Sequence, residues 1–300
     1  MKIGFSSYSF SDKMLTGEMS IVDVIEWIGK SDGEHLELAT VSFSPKGTDT
    51  AWNFDDDPDL IETIRSAAAT NGVELSGMCM PADFIGDAAD RVAQIERVKQ
   101  HIRLSDSLGI RYLRHDVTPW ARKIRDVVEF EEKFAIIVDA SAEIARFAAQ
   151  YDIQTSIENH GFFMNGSEHV RRLIAAVREP NFKTTLDVGN FLCVDEDPLI
   201  ATRANLPEAS FVHLKDFYIR SYDSFPGEGW LTTSGGNYLR GSIVGFGDMD
   251  MRGILSSVVT SGYDGYVSIE FEGKEDCLFA CETGLTNATR ILEELRSPIS

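Results

Sequence analysis

The sequence has few cysteines and no long apolar run. None of its four cysteines forms a Cys-x-x-Cys pair, so we expect reduced, buried thiols rather than a disulfide framework. No stretch approaches the roughly 20 apolar residues of a membrane span, and the N-terminal residues lack the apolar core of a signal peptide. These absences argue against a transmembrane protein and predict a cytoplasmic location.

Positive charge is also scarce. The 300 residues include 28 Lys and Arg against 48 Asp and Glu, which gives a formal net charge of −20. Nucleic-acid backbones and anionic membranes are bound through clustered Lys and Arg, so we expect neither as a partner. Hydrophobic residues at 43% and charged residues at 25% are ordinary values for a globular protein.

A glycine-rich phosphate turn, typical of an open, doubly wound sheet, is missing after the first predicted strand, where the chain reads SSYSFSDK. Instead, short β-rich runs alternate with longer amphipathic runs. Eight such units predict a single (β/α)8 TIM barrel over residues 1–300, with an enlarged loop after the seventh strand. The predicted strands are Ile3–Ser6, His35–Leu38, Val73–Met78, Ile110–Arg114, Ile153–Glu158, Phe182–Asp187, Ser210–Leu214 and Gly265–Glu270.

The enlarged loop runs from Lys215 to Gly247. It is too long for a structureless spacer inside a compact domain, so we interpret it as a lid and a substrate wall. Its Gly245-x-Gly247 pair is a weak phosphate signal, because no helix N-terminus follows at the spacing of a P-loop.

Four successive predicted strands end in ligand-type side chains, which are Glu158, Asp187, His213 and Glu270. In a barrel of this kind the strand ends share one rim, where catalytic groups lie. Either Glu158 or Asp187 alone would be typical of a helix cap, His213 alone of a core histidine, and Glu270 alone of an ion pair with Lys215. Their joint occurrence favours a divalent-metal site, because three carboxylates and one imidazole suit Mn²⁺ or Mg²⁺, with Zn²⁺ as an alternative.

The motifs IENHG, LDVGN, HLKD and IEFEG, in this order, resemble the xylose isomerase-like barrel superfamily of sugar-phosphate isomerases and epimerases. The resemblance covers nearly the whole chain. It implies that Glu158, Asp187, His213 and Glu270 bind one divalent metal ion, with Mn²⁺ expected first and Mg²⁺, Co²⁺ or Zn²⁺ as alternatives. It also implies that Glu158 and Glu270 form the acid/base pair, and it allows a homo-oligomer.

The chain departs from some members of the superfamily at Asn190. Endonuclease IV-like relatives have a zinc-binding histidine three residues after the aspartate, and ketose 3-epimerases tend to have a substrate-binding histidine there. The Asp-x-His pair that the nucleases carry after the seventh strand is also absent from this sequence. Together with the net charge, these departures disfavour a DNA-repair nuclease.

Such a site would act on a sugar or polyhydroxy ketone by proton transfer through a metal-stabilised enediolate. The first expectation is an isomerase or epimerase. The alternative is a lyase, such as an inosose or 3-dehydroshikimate dehydratase or a C-glycoside-cleaving enzyme, acting on a cyclitol or keto-sugar.

Further residues near the predicted rim are candidates for substrate contact. His160 lies two residues after Glu158, and Lys215 two after His213, so each pair would share a strand face. Aromatic faces often stack on sugars. The candidate substrate-binding residues are His160, Lys215, His115, Asn190, Arg220, Trp120 and Trp230. For Glu37, at the end of the second strand, a salt bridge to a neighbouring strand is the expected role.

Overall fold

A computed structural model describes residues 1–43 and 58–296 of the chain. The strands are β1 (Lys2–Ser6), β2 (His35–Ala39), β3 (Glu74–Met80), β4 (Tyr112–His115), β5 (Gln154–Glu158), β6 (Phe182–Asp187), β7 (Ala209–Leu214), β8 (Asp216–Arg220), β9 (Leu231–Thr232), β10 (Tyr238–Ser242) and β11 (Tyr266–Ile269). Eight of them close into a parallel barrel in the order β1-β11-β7-β6-β5-β4-β3-β2. The predicted (β/α)8 barrel is confirmed, whereas its organisation as one domain over residues 1–300 stays a prediction.

Helices connect the strands on the outside of the barrel. They are α1 (Ser11–Thr16), α2 (Ile21–Ile28), α3 (Pro58–Asn71), α4 (Ala88–Leu108), α5 (Val127–Ala148), α6 (Ser167–Val177), α7 (Pro198–Asn205), α8 (Met251–Thr260) and α9 (Cys277–Arg296). Among the described helices, none combines the length and the apolarity that crossing a bilayer requires.

Local sequence signals explain where several helices begin and end. Ser20 caps α2 through a capping box in which its hydroxyl accepts from the Asp23 N–H and Asp23 accepts from the Ser20 N–H. Asp197 caps α7, and Pro198 occupies its first turn. Helix α4 ends at Gly109, whose φ of 78° is accessible to glycine without strain. The short helix α1 buries none of its side chains, so it has no apolar stripe by which the sequence could have predicted it.

Two apolar clusters lie between the barrel and its helices. One packs α2, α8 and α9 against β1, β2, β7 and β11, with Ile25, Leu36 and Ile254 fully buried. The other packs α4, α5 and α6 against β4 and β5, with Leu113 and Ile137 fully buried. Replacing one such Leu or Ile by Ala costs about 2–5 kcal/mol in well-packed proteins, so these clusters fix the barrel on which the site stands.

An aromatic layer closes the lower end of the barrel. His35, Tyr112, Phe211 and Tyr266 project inward, and their ring centroids lie 5.0–6.1 Å apart. His35 Nδ1 lies 2.8 Å from Ser76 Oγ. Burial lowers the pKa of His35 to about 4, so its ring is neutral at pH 7 and carries no charge into the core.

The enlarged loop contains a three-stranded antiparallel sheet in the order β8-β10-β9. The turn between β9 and β10 is held by Asp195, which lies in the connection between β6 and α7. Asp195 accepts hydrogen bonds from Thr233 Oγ1 (2.7 Å), Asn237 Nδ2 (2.8 Å) and the Gly235 N–H. The buried Asp216 carboxylate accepts from the N–H groups of Gly245 (2.9 Å) and Gly247 (3.0 Å). The Gly-x-Gly pair therefore cradles a carboxylate of this chain.

Gly4 provides a sharp test of the barrel's interior packing. A Cβ atom at Gly4 would lie 2.1 Å from the His35 carbonyl oxygen, whereas one at Gly284 in α9 would meet neighbours at 3.5–3.8 Å. We expect Gly4→Ala to lower the free energy of unfolding by about 1–3 kcal/mol or more through overpacking. Gly284→Ala should raise it by up to about 1 kcal/mol, because alanine favours the helix. Urea denaturation measures both, and equal effects would contradict this packing.

Candidate metal centre

Four side chains converge at the upper end of the barrel, where the strands end. One ligand atom from each of Glu158, Asp187, His213 and Glu270 lies within 4.8 Å of the other three. All four residues are buried, with at most 8% of any one exposed. All four face the interior of the barrel at the carboxyl ends of their strands. Glu158 and Asp187 are the last residues of β5 and β6, His213 is the last but one of β7, and Glu270 comes directly after β11. The sequence-predicted ligand set is therefore brought together in space.

Glu37 orients the histidine of this group. Its Oε2 lies 2.8 Å from His213 Nε2. Because an ionised carboxylate only accepts hydrogen bonds, this contact places a proton on Nε2 and leaves Nδ1 as the nitrogen that faces Glu158 and Glu270, at 3.4 and 3.8 Å. Glu37 thus pairs across the barrel with β7, and not with a strand next to β2 as expected from sequence.

Asp187 uses its two carboxylate oxygens differently. Oδ1 accepts hydrogen bonds from the N–H groups of Gly189 and Asn190, both at 2.8 Å, and so begins the 3₁₀ turn Asn190–Val194. Asn159 fixes the backbone of Asp187 through reciprocal hydrogen bonds of 2.8 and 3.0 Å. Oδ2 is buried and accepts no hydrogen bond within residues 1–43 and 58–296. One oxygen caps the turn, and the other is directed into the cluster.

Glu158 is bound by a chain of charged groups that reaches the solvent. Arg114 Nη2 lies 2.6 Å from Glu158 Oε2 and 2.6 Å from Asp116 Oδ1. Asp116 Oδ1 also lies 3.0 Å from His160 Nδ1. The His160 side chain is 32% exposed, whereas Arg114 and Asp116 are almost fully buried. The Asp116–His160 pair therefore places an imidazole at the open edge of the cluster.

Lys215 binds the opposite side of the cluster. Its Nζ lies 2.8 Å from Glu270 Oε2, 3.3 Å from Asp187 Oδ2 and 3.1 Å from Glu272 Oε1. Asn190 joins the two sides, because its Nδ2 donates to Glu158 Oε1 (2.9 Å) and its Oδ1 accepts from Lys215 (3.3 Å). The Glu272 side chain is 32% exposed, so it marks a second open edge.

The charges in the cluster shift one another's pKa values. Burial raises the pKa of Asp187 to about 7, since the charges of Glu158 and Glu270 add to burial and outweigh Lys215. Burial also disfavours the charged form of Glu158, but Arg114 and His213 hold its pKa well below the usual range. Lys215 and His213 likewise lower the pKa of Glu270 against the effect of burial. For His213, burial opposes protonation, but the carboxylates of Glu37, Glu270 and Glu158 raise its pKa well above the usual value.

A family model described as xylose isomerase-like TIM barrel matches residues 34–297. The chain belongs to the xylose isomerase-like TIM barrel family. Comparison with curated proteins gave no match.

Solved structures show the same fold for this xylose isomerase-like barrel. A D-psicose 3-epimerase crystallised with D-fructose is 19% identical, with a TM-score of 0.71 over 97% of this chain and 99% of that one. A probable 3-DHS dehydratase AsbF of Bacillus anthracis is 18% identical, with a TM-score of 0.72 over 96% and 99%. The IOLI protein with a bound zinc atom is 18% identical, with a TM-score of 0.71 over 98% of each chain.

The structure does not bring His115 to the metal centre of this xylose isomerase-like barrel. His115 lies in the layer outside the strands, with its ring centroid 5.6 Å from that of Phe84 and 6.2 Å from that of Phe182. Burial lowers its pKa to about 4. Side chains alternate along a strand, and it is the preceding residue, Arg114, that points inward.

The other three candidates lie in loops that rise from the barrel. Trp120 is 49% exposed, and its ring centroid lies 5.8 Å from that of Phe162 in the next loop. Arg220 pairs with Asp248 at 2.9 Å and lies 5.6 Å above the ring of Trp230 on the small sheet. The structure gives none of these three a contact with the four ligands, and their role in substrate binding stays a prediction.

Several residues of the site were not selected from the sequence. Arg114 and Asp116 lie in the run RHD, in which the inward-facing positions are not evident from so short a strand. Tyr8 lies just past the end of β1. Its pKa is raised by the charge of Glu272 and by burial, against the effect of Lys215. The sequence feature that could have identified Tyr8 is its position two residues after the end of β1.

A separate cavity of about 590 Å³ lies between the small sheet and the beginnings of α7 and α8. None of the four candidate ligands lines it. Its acidic residues already have structural partners, since Asp197 and Asp250 cap the two helices and Asp248 pairs with Arg220. The group formed by Glu158, Asp187, His213 and Glu270 is therefore the better candidate for chemistry.

The contact between Glu37 and His213 predicts an effect on metal affinity. Glu37→Gln removes the carboxylate that holds the proton on Nε2 and turns Nδ1 toward the ligands. We expect the affinity for Mn²⁺ to fall about 10–100-fold, as measured by isothermal titration calorimetry on metal-free protein. Glu62→Gln, on the outer face of α3, is the matched control and should bind like the unmodified protein. An unchanged affinity in Glu37→Gln would contradict the orienting role.

Proposed function

We propose that the protein is a divalent-metal-dependent isomerase or epimerase of a sugar or polyhydroxy ketone. The observation that carries this proposal is the convergence of four ligand atoms within 4.8 Å at the catalytic end of the barrel. Family membership and the epimerase among the structural neighbours support it.

The residues present fit a divalent metal ion. His213 Nδ1 and Asp187 Oδ2 are buried atoms without a hydrogen bond in the described part of the chain. Burying a polar atom without a hydrogen bond is costly, and a bound cation would supply a partner for both atoms, of which Asp187 Oδ2 has only the ion-pair contact with Lys215 at 3.3 Å. Three carboxylates and one imidazole are a donor set suited to Mn²⁺, the first choice, with Mg²⁺, Co²⁺ or Zn²⁺ as alternatives.

The same side chains account for the proposed chemistry. A bound divalent ion would act as a Lewis acid that stabilises the negative charge developing on the substrate oxygens. One of Glu158 and Glu270 removes the proton beside the carbonyl group, and the other returns it. Return to the opposite face of the same carbon gives epimerisation, and return to the adjacent carbon gives aldose–ketose isomerisation.

Substrate orientation is proposed for the polar residues at the open edges. His160 is held by Asp116 at 3.0 Å, which leaves its second ring nitrogen for a substrate oxygen. Lys215 and Asn190 contact the ligand carboxylates and each other, so a hydroxyl group near the cluster would find both a donor and an acceptor. We propose that Trp120, Trp230 and Arg220 contribute outer contacts.

A lyase on a cyclitol or keto-sugar is the second candidate. The specific observation in its favour is the Asp116–His160 pair, since elimination of a hydroxyl group requires a proton donor besides the base that removes the first proton. The dehydratase among the structural neighbours is consistent with it. We also propose a cytoplasmic location, which the four free and buried cysteines support.

The proposal is tested with Glu158→Gln and Glu270→Gln. We expect each to reduce proton exchange at least about 100-fold, measured as deuterium uptake from heavy water into candidate ketoses. Metal content, determined in parallel by elemental analysis, separates lost proton transfer from lost metal. Glu62→Gln serves as the surface control. Full activity in both variants, or activity that is insensitive to chelation, would overturn the proposal.

The lyase alternative is distinguished by its product. Dehydration next to a carbonyl group yields an enone that absorbs in the ultraviolet, whereas epimerisation yields none. His160→Ala should abolish that absorbance change in a lyase while retaining metal binding. Deuterium uptake without any rise in absorbance would favour the isomerase or epimerase.

A further inference from the structure

Lys215 lies where a cation is needed when the centre holds no metal ion. Its ammonium group contacts two of the four candidate ligands, Glu270 at 2.8 Å and Asp187 at 3.3 Å. Lys215 is only 2% exposed. The other strong cation of the site, Arg114, is already shared between Glu158 and Asp116. Lys215 therefore neutralises the side of the cluster that Arg114 does not reach.

The same ammonium group also contacts two acceptors that do not belong to the ligand group. Glu272 Oε1 lies at 3.1 Å and Asn190 Oδ1 at 3.3 Å. Glu272 is partly exposed and does not belong to the ligand group. The four-carbon stem of a lysine is flexible enough to shift between such partners. Lys215 could therefore keep the contacts with Glu272 and Asn190 if those with Asp187 and Glu270 were lost.

Two cations cannot share the ligand carboxylates without cost. A divalent ion and an ammonium group a few ångströms apart repel strongly where water is excluded. We propose that Lys215 is a resident counter-cation that holds the metal-free centre together, and that an entering divalent ion displaces it from Asp187 and Glu270, so that it keeps only its contacts with Glu272 and Asn190. This inference rests on the proposed metal-dependent function.

The exchange has two consequences of opposite sign. With Lys215 present, the metal-free protein keeps its buried carboxylates paired and remains folded. The same pairing must be broken before the ligands can bind a metal ion, so the affinity for the ion is lowered. A lysine that merely supported the ligands would instead raise the affinity.

The test compares Lys215→Met with Lys183→Met. Lys183 lies at the beginning of β6, at the opposite end of that strand from Asp187, and its partly exposed side chain pairs with Glu208 at 2.7 Å. The variant Lys183→Met therefore removes one ion pair at a distance from the centre. Chelator-treated proteins are titrated with Mn²⁺ by calorimetry, and thermal unfolding is followed with and without Mn²⁺. We expect Lys215→Met to bind Mn²⁺ at least tenfold more tightly than the unmodified protein. The metal-free form of Lys215→Met should have a Tm several degrees below that of the metal-free unmodified protein. This difference in Tm should become smaller when both proteins are saturated with Mn²⁺.

A double variant guards against the failure of Lys215→Met to fold. Lys215→Met with Glu272→Gln removes one positive and one negative charge together, so it should recover the part of the metal-free stability that was lost at Glu272 and keep the higher Mn²⁺ affinity. Equal or weaker Mn²⁺ binding in the Lys215 variants would overturn the exchange while leaving the proposed function intact. If none of the proteins bound Mn²⁺, Mg²⁺, Co²⁺ or Zn²⁺, the proposed function would be overturned as well.

Discussion

The structure of the site depends on one electrostatic constraint, which is that several carboxylates must remain charged where water is largely excluded. Removing a carboxylate from water is expensive unless a cation and hydrogen bonds replace the solvent. Arg114 pairs with Glu158, Lys215 with Glu270 and Asp187, and His213 with Glu37. These pairs lower the pKa values of Glu158 and Glu270 and raise that of His213, whereas burial and the neighbouring carboxylates raise that of Asp187. Within the described residues, His213 Nδ1 and Asp187 Oδ2 remain without a hydrogen bond.

The barrel meets this constraint by separating its interior into layers. On β7, Phe211 belongs to the aromatic layer and His213, two residues later, to the charged one. On β4, Tyr112 and Arg114 follow the same rule. Because side chains alternate, a step of two residues moves up the barrel without leaving its interior. The aromatic layer fills the lower end of the barrel, so the charged layer lies directly above packed aromatic side chains and is open toward the loops.

Both the fold and the four candidate ligands can be predicted from the sequence, because both depend on where the strands end. Strand ends can be recognised from apolar runs, and in a parallel barrel all of them meet at one rim. What it cannot predict depends on the closed geometry. The Glu37–His213 contact crosses the barrel, and its register follows an irregularity between Leu36 and Glu37. In the run RHD, only the three-dimensional structure shows that Arg114 faces inward and His115 outward.

The four ligands alone do not select a reaction, because epimerisation, isomerisation and dehydration can all proceed from the same enediolate. Selection must come from groups that meet the substrate beyond the ligand atoms. In this chain such groups stand at two open edges, with His160 held by Asp116 on one side and Glu272 held by Lys215 on the other. Both pairs lie just past strand ends and also contact the charged layer, Asp116 through Arg114, and Lys215 through Asp187 and Glu270. In the proposed function, the residues that follow the strands would therefore act on the outcome of the reaction and on the charges of the ligands together.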